Sequence, residues 1–311
     1  MPSITLPTAP APLLRAPLHD NGRLALGPAL TGGGHAFYPL AAPRQLRHGV
    51  IVGDAGTGVS NALTVAAVIA RAAMPLVTAY VNGHSAPLNA ALARQSTVAI
   101  ARSSGCDVAA TAIAALERAV LARAQVLTEL RAASFPAAGI PPLLVIIKDA
   151  HEVFAGHGER WAKVMHHAGK LGIGVLAALH DMRLTSFGGS AALRARLTEQ
   201  VIALRTGCMI TQDILVKTAV SANPEFGRPG SRDTEVELAA QLRKSLRDAP
   251  TGAGHLIVAH ENPVAFASFR LAAGSAMIER GRERWLKIHP DTELDAPTRA
   301  AFGELAHRGG A

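Results

Sequence analysis

The stretch best suited to chemistry is Gly53-Asp54-Ala55-Gly56-Thr57-Gly58-Val59-Ser60-Asn61. It follows the apolar run Gly49-Val50-Ile51-Val52 and leads into a long Ala-rich helical pattern. A buried strand, a glycine-rich loop and a helix start form the context in which a chain wraps phosphate. Glycines let the backbone approach the anion, loop amides point inward, and the helix N-terminus adds partial positive charge. In the spacing G-x-x-x-x-G-K-[ST], Gly53, Gly58 and Ser60 are in register, but Val59 stands where the lysine belongs. The phosphate cradle is present and its cation is missing.

A nucleotidase of this kind needs a second element: a strand ending in an acid that holds Mg²⁺, with another acid to activate water. Leu143-Leu144-Val145-Ile146-Ile147 is the most apolar strand pattern, and Lys148-Asp149-Ala150-His151-Glu152 follows it. Lys148 occupies the place of the metal-holding acid. Asp149 occupies that of the water-activating acid, one methylene shorter than Glu. The competing reading is a core strand with a charged edge.

The surrounding pattern supplies the elements that must position these residues. Helical periodicity runs from Ser60 or Asn61 to about Ala73, from Thr111 to Ala133, from Arg160 to Lys170, from Ser190 to Leu197 and from Glu235 to Arg247. Strands are expected at 76–81, 173–179 and 201–205, with a closing pair at 256–259 and 265–269. Short apolar strands alternating with helices predict an α/β domain with a mainly parallel sheet and helices on both faces. The expected organisation is a flexible Pro-rich arm over 1–20, a β-rich lead-in over 21–48, a main domain over 49–272 and a basic C-terminal extension over 273–311. Residues 221–235 read as a loop.

The net charge of +8 favours a polyanionic partner, nucleic acid or an acidic membrane surface. Cys106 and Cys208 read as free thiols in a reducing compartment. Ala132–Ile147 and Ala62–Val81 are broken by Pro or Arg, so no membrane span is expected. Without a secretory n-region and h-region at the start, the expectation is a cytoplasmic protein or one peripheral to a membrane complex.

Three stretches in order resemble the motor domain of the FtsK/SpoIIIE DNA-translocase family, particularly its actinobacterial TraB-like conjugation branch. Val50 to Leu63 resembles the family's strand, GxTGSGKSN loop and helix. Leu143 to Phe154 resembles its Walker B stretch. Gly169 to His180, Ser186 to Ser190 and Ala203 to Gly207 resemble its sensor strand and the strand after it. The similarity covers roughly residues 20 to 270 and implies a RecA-like P-loop fold, ATP as cofactor, double-stranded DNA as partner and a ring of like or unlike subunits. It also implies nucleotide contact from Gly53 to Asn61, and a sensor or junction role for His180 and Arg205.

The departures fall on functional positions. Val59 replaces the Walker A lysine, Lys148 the Walker B aspartate, His180 the sensor glutamine, and Asn82 the acid at the end of the second strand. A lysine on the phosphates and an acid holding Mg²⁺ are each worth ~3 kcal/mol or more of transition-state stabilisation. Their joint loss slows hydrolysis by ~10⁴-fold or more. The expected function is therefore a nucleotide- and DNA-binding pseudo-ATPase in DNA transfer or segregation, with Asp149 the one remaining candidate catalytic acid and with doubtful dependence on Mg²⁺. One alternative is an active DNA translocase with an atypical site, in which Lys148 serves as the phosphate cation. Another is an interaction scaffold resembling the degenerate ATPase modules of type VII secretion. Lys148 either replaces the metal's charge or pairs with Asp149, Glu152 or Asp54. The histidines lack metal-site spacing, so no metal centre is expected. The run Arg280 to Lys287, with Trp285, is either a solvated face or a contact to nucleic-acid backbone.

Overall fold

The computed structural model of this chain describes residues 22–30, 33–84, 92–93, 96–101, 107–222, 232–259, 261, 263–268, 293–303 and 305. The Pro-rich arm, Cys106 and the Arg280–Lys287 run lie outside the described residues. The lead-in forms β1 (Arg23–Pro28) and β2 (His35–Pro39), an antiparallel pair with a bulge between Ala25 and Gly27. β3 (Ala41–Ala42) and β4 (Gln45–Leu46) form a second short ladder.

The main sheet begins with β5 (Gly49–Val52), followed by α1 (Val59–Ala73), β6 (Val77–Asn82) and β7 (Val98–Ala101). Next come α2 (Val108–Glu129), β8 (Leu143–Lys148), α3 (Ala150–Phe154), α4 (Gly158–Ala168) and β9 (Ile173–Leu179). The chain continues through α5 (Ala191–Leu197), β10 (Gln200–Leu204), α6 (Met209–Ala222) and α7 (Arg232–Asp248). It then forms β11 (Ala253–Val258), β12 (Val264–Ala267) and α8 (Ala296–Phe302). Among the described residues, eight strands form this sheet in the order β12-β11-β10-β5-β9-β8-β6-β7. The strands from β10 to β7 are parallel, and β11 and β12 close one edge antiparallel.

Strand alternation divides the apolar residues between two cores. Val50, Val52, Val145 and Val175 face the side covered by α2, α3 and α4. Ile51, Tyr80, Ile146 and Leu176 face α1 and the lead-in, whose Leu24, Leu26 and Tyr38 share that cluster. Both faces are covered, which explains the near-continuous apolar runs. The lead-in is thus part of the main core.

Arg123 of α2 is fully buried, and α8 packs against that helix. Its guanidinium donates to Thr298 Oγ1 at 2.8 Å, Asp295 Oδ2 at 2.9 Å, and the carbonyls of Pro141, Leu171 and Gly172 at 2.9, 3.1 and 3.0 Å. Asp295 also accepts from Thr298 N–H, capping α8. Part of the expected C-terminal extension is therefore tied to the core through a satisfied buried cation.

The topology positions the site. Because β9 lies between β5 and β8, the C-terminal ends of three adjacent strands carry the Gly53–Gly58 loop, His180 and Lys148 side by side.

Candidate functional site

Gly56 and Gly58 have φ of 77° and 106°, left-handed values that suit glycine. A Cβ on Gly53 would sit 2.7 Å from Thr57 Oγ1 and 2.9 Å from Leu204 Cβ, so the loop's first position is closed to any side chain. Gly58 precedes α1 without a side-chain cap, and no acid stands in that helix's first turn. The uncapped N-terminus leaves helical amides and their dipole directed at the space above the loop. Ser60 is exposed there.

The loop is braced from behind. Thr57 is fully buried, and its hydroxyl donates to Asp54 O at 2.7 Å. Gly252 N–H donates to Thr57 O at 2.8 Å. The Asp54 carboxylate faces the segment after β10, accepting from Thr206 Oγ1 at 3.1 Å and Gly207 N–H at 2.7 Å. Asp54 N–H in turn donates to Arg205 O at 3.0 Å.

Asp149 adopts φ 51°, ψ 52°, a left-handed conformation that Asp tolerates better than most residues. Gly83 N–H donates to Lys148 O, and a Cβ on Gly83 would lie 2.5 Å from Asp149 O. This close packing holds the turn. His180 Nε2 lies 3.3 Å from Asp149 Oδ1, and His180 Nδ1 lies 3.4 Å from Gly53 O. Both ring nitrogens face acceptors, an arrangement that favours the imidazolium. Asp149 raises the His180 pKa through their hydrogen bond, against the opposing effect of burial. The same bond, aided by Lys148, lowers the pKa of Asp149. Lys148 Nζ stands 3.9 Å from Asp149 Oδ2.

These groups enclose a cavity of about 260 Å³ between Gly56, Gly58 and Ser60 on one side and Lys148, Asp149 and His180 on the other. Asp54, Ala55, Val59 and Asn61 also line it, while Ala178 and Leu179 complete the wall. Its charged groups are the Lys148 ammonium, the Asp149 carboxylate, the Asp54 carboxylate turned toward Gly207, and the His180 ring. Such a concavity, with amides and a lysine, suits an anion.

No family model matches the sequence, and no curated protein matches it. Solved structures do resemble it. EssC (ATPases 2 and 3) from Geobacillus thermodenitrificans superposes with a TM-score of 0.64 at 14% identity, covering 94% of this chain and 54% of that one. The cytoplasmic domain of the Thermomonospora curvata type VII secretion ATPase EccC gives 0.62 at 15% identity, covering 89% and 32%. The pCW3 conjugation coupling protein TcpA, in its monomer form with ATPγS, gives 0.54 at 14% identity, covering 93% and 75%. The chain has the fold of these ATPases. It spans about half of the EssC chain and a third of the EccC chain.

Within that fold, most of the sequence-derived site residues converge on the cavity. Gly53 and Thr57 instead form the loop's buried backing. Arg205 contributes its carbonyl to the loop and does not line the cavity, and Asn82 is buried in β6 beside Lys148. Sequence reasoning missed Thr206, Gly207 and Gly252, the braces of the loop. The Thr-Gly pairs at 206–207 and 251–252 were the available signal, since small polar and glycine residues beside a strand end permit close backbone approach.

The residues fit a nucleotide's phosphates better than they fit Mg²⁺. The uncapped helix start, Ser60 and Lys148 suit an anion. Mg²⁺ bound with a nucleotide keeps several waters and is held by one or two free carboxylates beside the phosphates. Here Lys148 ends β8, and both His180 and Lys148 engage Asp149. Among the described residues, no group of three or more His, Cys, Asp or Glu is arranged to hold a metal. No helix among them is long and apolar enough to cross a membrane.

Proposed function

We propose that this chain is a nucleotide-binding P-loop module with an impaired hydrolytic site, acting in DNA transfer or segregation within a ring that includes competent subunits. One observation carries the reading: a glycine loop of phosphate-binding shape faces Lys148 and His180, where a working site would present a metal-holding acid and a polar sensor. Gly53 to Asn61 hold the phosphates through amides and Ser60, and Lys148 supplies the cation absent at Val59. His180 places a second positive charge against the loop. Asp149, already engaged by both, is a poor base for activating water. Bound nucleotide supplies negative charge that draws the loop and the ends of β8 and β9 together.

The titrant that tests this is ATP, followed by calorimetry with Mg²⁺ and with EDTA, beside a hydrolysis assay containing duplex DNA. Binding that survives EDTA, falls in K148A and is accompanied by no turnover is the expected result. Loss of binding in EDTA, or full affinity in K148A, overturns the role given to Lys148. DNA-stimulated turnover would instead favour an active translocase.

A second reading, an interaction scaffold, draws on two observations. Met209 and Ile210 are 76% and 51% exposed at the start of α6, next to the Asp54–Gly207 contact. The similar T. curvata EccC structure (ATPases 2 and 3; TM-score 0.56, 13% identity) is in complex with a signal sequence peptide. Peptide binding abolished by M209S/I210S, without DNA binding, would favour that reading.

A further inference from the structure

A larger cavity, of about 520 Å³, opens at the opposite end of the sheet, where β5 and β9 begin. Arg47, Lys170 and Arg196 line it, with His48, His166 and Glu199. The four residues of β5 separate it from the Gly53 loop, a rise of roughly 13 Å.

Its charge is unbalanced. Among the described residues Glu199 is the only carboxylate in the lining, and its Oε1 lies 3.8 Å from Arg196 Nη1. Among the described residues no carboxylate forms an ion pair with Arg47 or Lys170, and the buried Arg47 Nε has no hydrogen-bond partner. A buried guanidinium N–H left unpaired is costly, and a ligand that accepts from it removes that cost. His48 adds shape without charge: its Nε2–H donates to Met165 O at 3.0 Å and its Nδ1 accepts from Val175 N–H at 3.2 Å. Burial keeps that ring neutral, with its pKa down at about 4. Arg196 Nη2 donates to His166 Nδ1 at 2.5 Å, which fixes one side of its fork.

Two helices, α4 and α5, end nearby, and cations there would offset their dipoles. That accounts for Arg196 and Lys170. It does not account for Arg47, which lies between β4 and β5, or for its unpaired Nε.

We propose that this cavity is a second anion site, one that takes a phosphate-bearing small molecule on Arg47, Arg196 and Lys170. Two guanidinium forks and an ammonium match the several oxygens of a phosphate group better than a single carboxylate. The volume is that of a small-ligand pocket, and Leu46, Met165 and Ala259 offer apolar wall for an organic moiety. The proposal is independent of nucleotide binding at the Gly53 loop.

The probe is inorganic pyrophosphate, titrated without Mg²⁺ into the full chain by calorimetry. The expected result is a binding event weakened about tenfold or more in R47M/R196M and left intact in K148A. K170Q, at an exposed position, should weaken the same event and keeps the test valid if the double variant unfolds. Absence of any pyrophosphate event sensitive to these three residues overturns the proposal. So does a lower melting temperature in the variants with unchanged anion affinity, which would make the cations helix-end counter-charges. Binding of duplex DNA, but not pyrophosphate, lost in the same variants would overturn the small-molecule assignment.

Discussion

Asp149 Oδ1 lies 3.3 Å from His180 Nε2, so a carboxylate at the end of one strand favours the charged form of an imidazole at the end of its neighbour. His180 is half exposed, and this pair contributes about 1 kcal/mol or less to stability. Its effect on charge in the cavity is larger than its effect on folding.

The first prediction follows from that pair. The His180 pKa is raised by the hydrogen bond that its ring donates to Asp149, so its stabilising contribution is complete below pH ~6.5 and is lost as pH rises through the folded value. NMR titration of the ring should give a midpoint above 6.5, moved down in D149N. ATP affinity should weaken over the same interval. An unchanged midpoint in D149N would remove the pair from the account of the site.

On the proposed reading, a cation at position 59 and an acid at position 148 should produce chemistry only in combination. V59K alone adds the cation but keeps Lys148 at the end of β8, and should give no Mg²⁺-dependent turnover. V59K/K148D supplies both and should raise the rate by ~100-fold or more over the natural sequence. Single-turnover hydrolysis with and without EDTA measures this.

Arg123 offers a stability test. Its removal in R123M takes the donor from Asp295 Oδ2 and from the Pro141 and Leu171 carbonyls, while Gly172 O keeps Leu143 N–H, a change expected to cost ~3–5 kcal/mol in urea unfolding. D295N leaves the carbonyl contacts intact and should cost less. Hydrogen exchange of α8 should rise in both variants.

Acid should act through two other histidines. Burial lowers the pKa of His48 and His255 to about 4 each, so their neutral forms belong to the fold. The stability they lend is present above pH ~6.5 and is lost as pH falls from there toward 4, by up to ~3 kcal/mol per residue. H255Q should flatten the acid limb of a denaturation profile. An unaltered limb would place the acid sensitivity elsewhere.

The fold was legible wherever burial was two-sided. Leu143–Ile147 and Ile173–Leu179 are apolar because both cores claim them, and their strands lie within a residue of where the pattern put them. The loop from Gly53 to Asn61 was legible because its glycines answer a backbone demand. α6 was not: in Met209–Ala222 exposed Met209 and Ile210 sit beside polar residues, which blurs the periodicity. β7 is only four residues long, too short for alternation to declare itself. Asp54 was identified as a loop residue, but its carboxylate serves Thr206 and Gly207, a long-range pairing that spacing does not encode.

The distance in sequence between Arg123 and Asp295, 172 residues, bears on how the chain is made. At ~5–20 residues per second, a ribosome takes roughly 10–30 s to supply the partner after the arginine has been built. Throughout that interval Arg123 lacks its carboxylate on a face destined for the interior. The nascent domain should therefore remain open at that end, a client for holding factors, until its last described helix arrives and closes it.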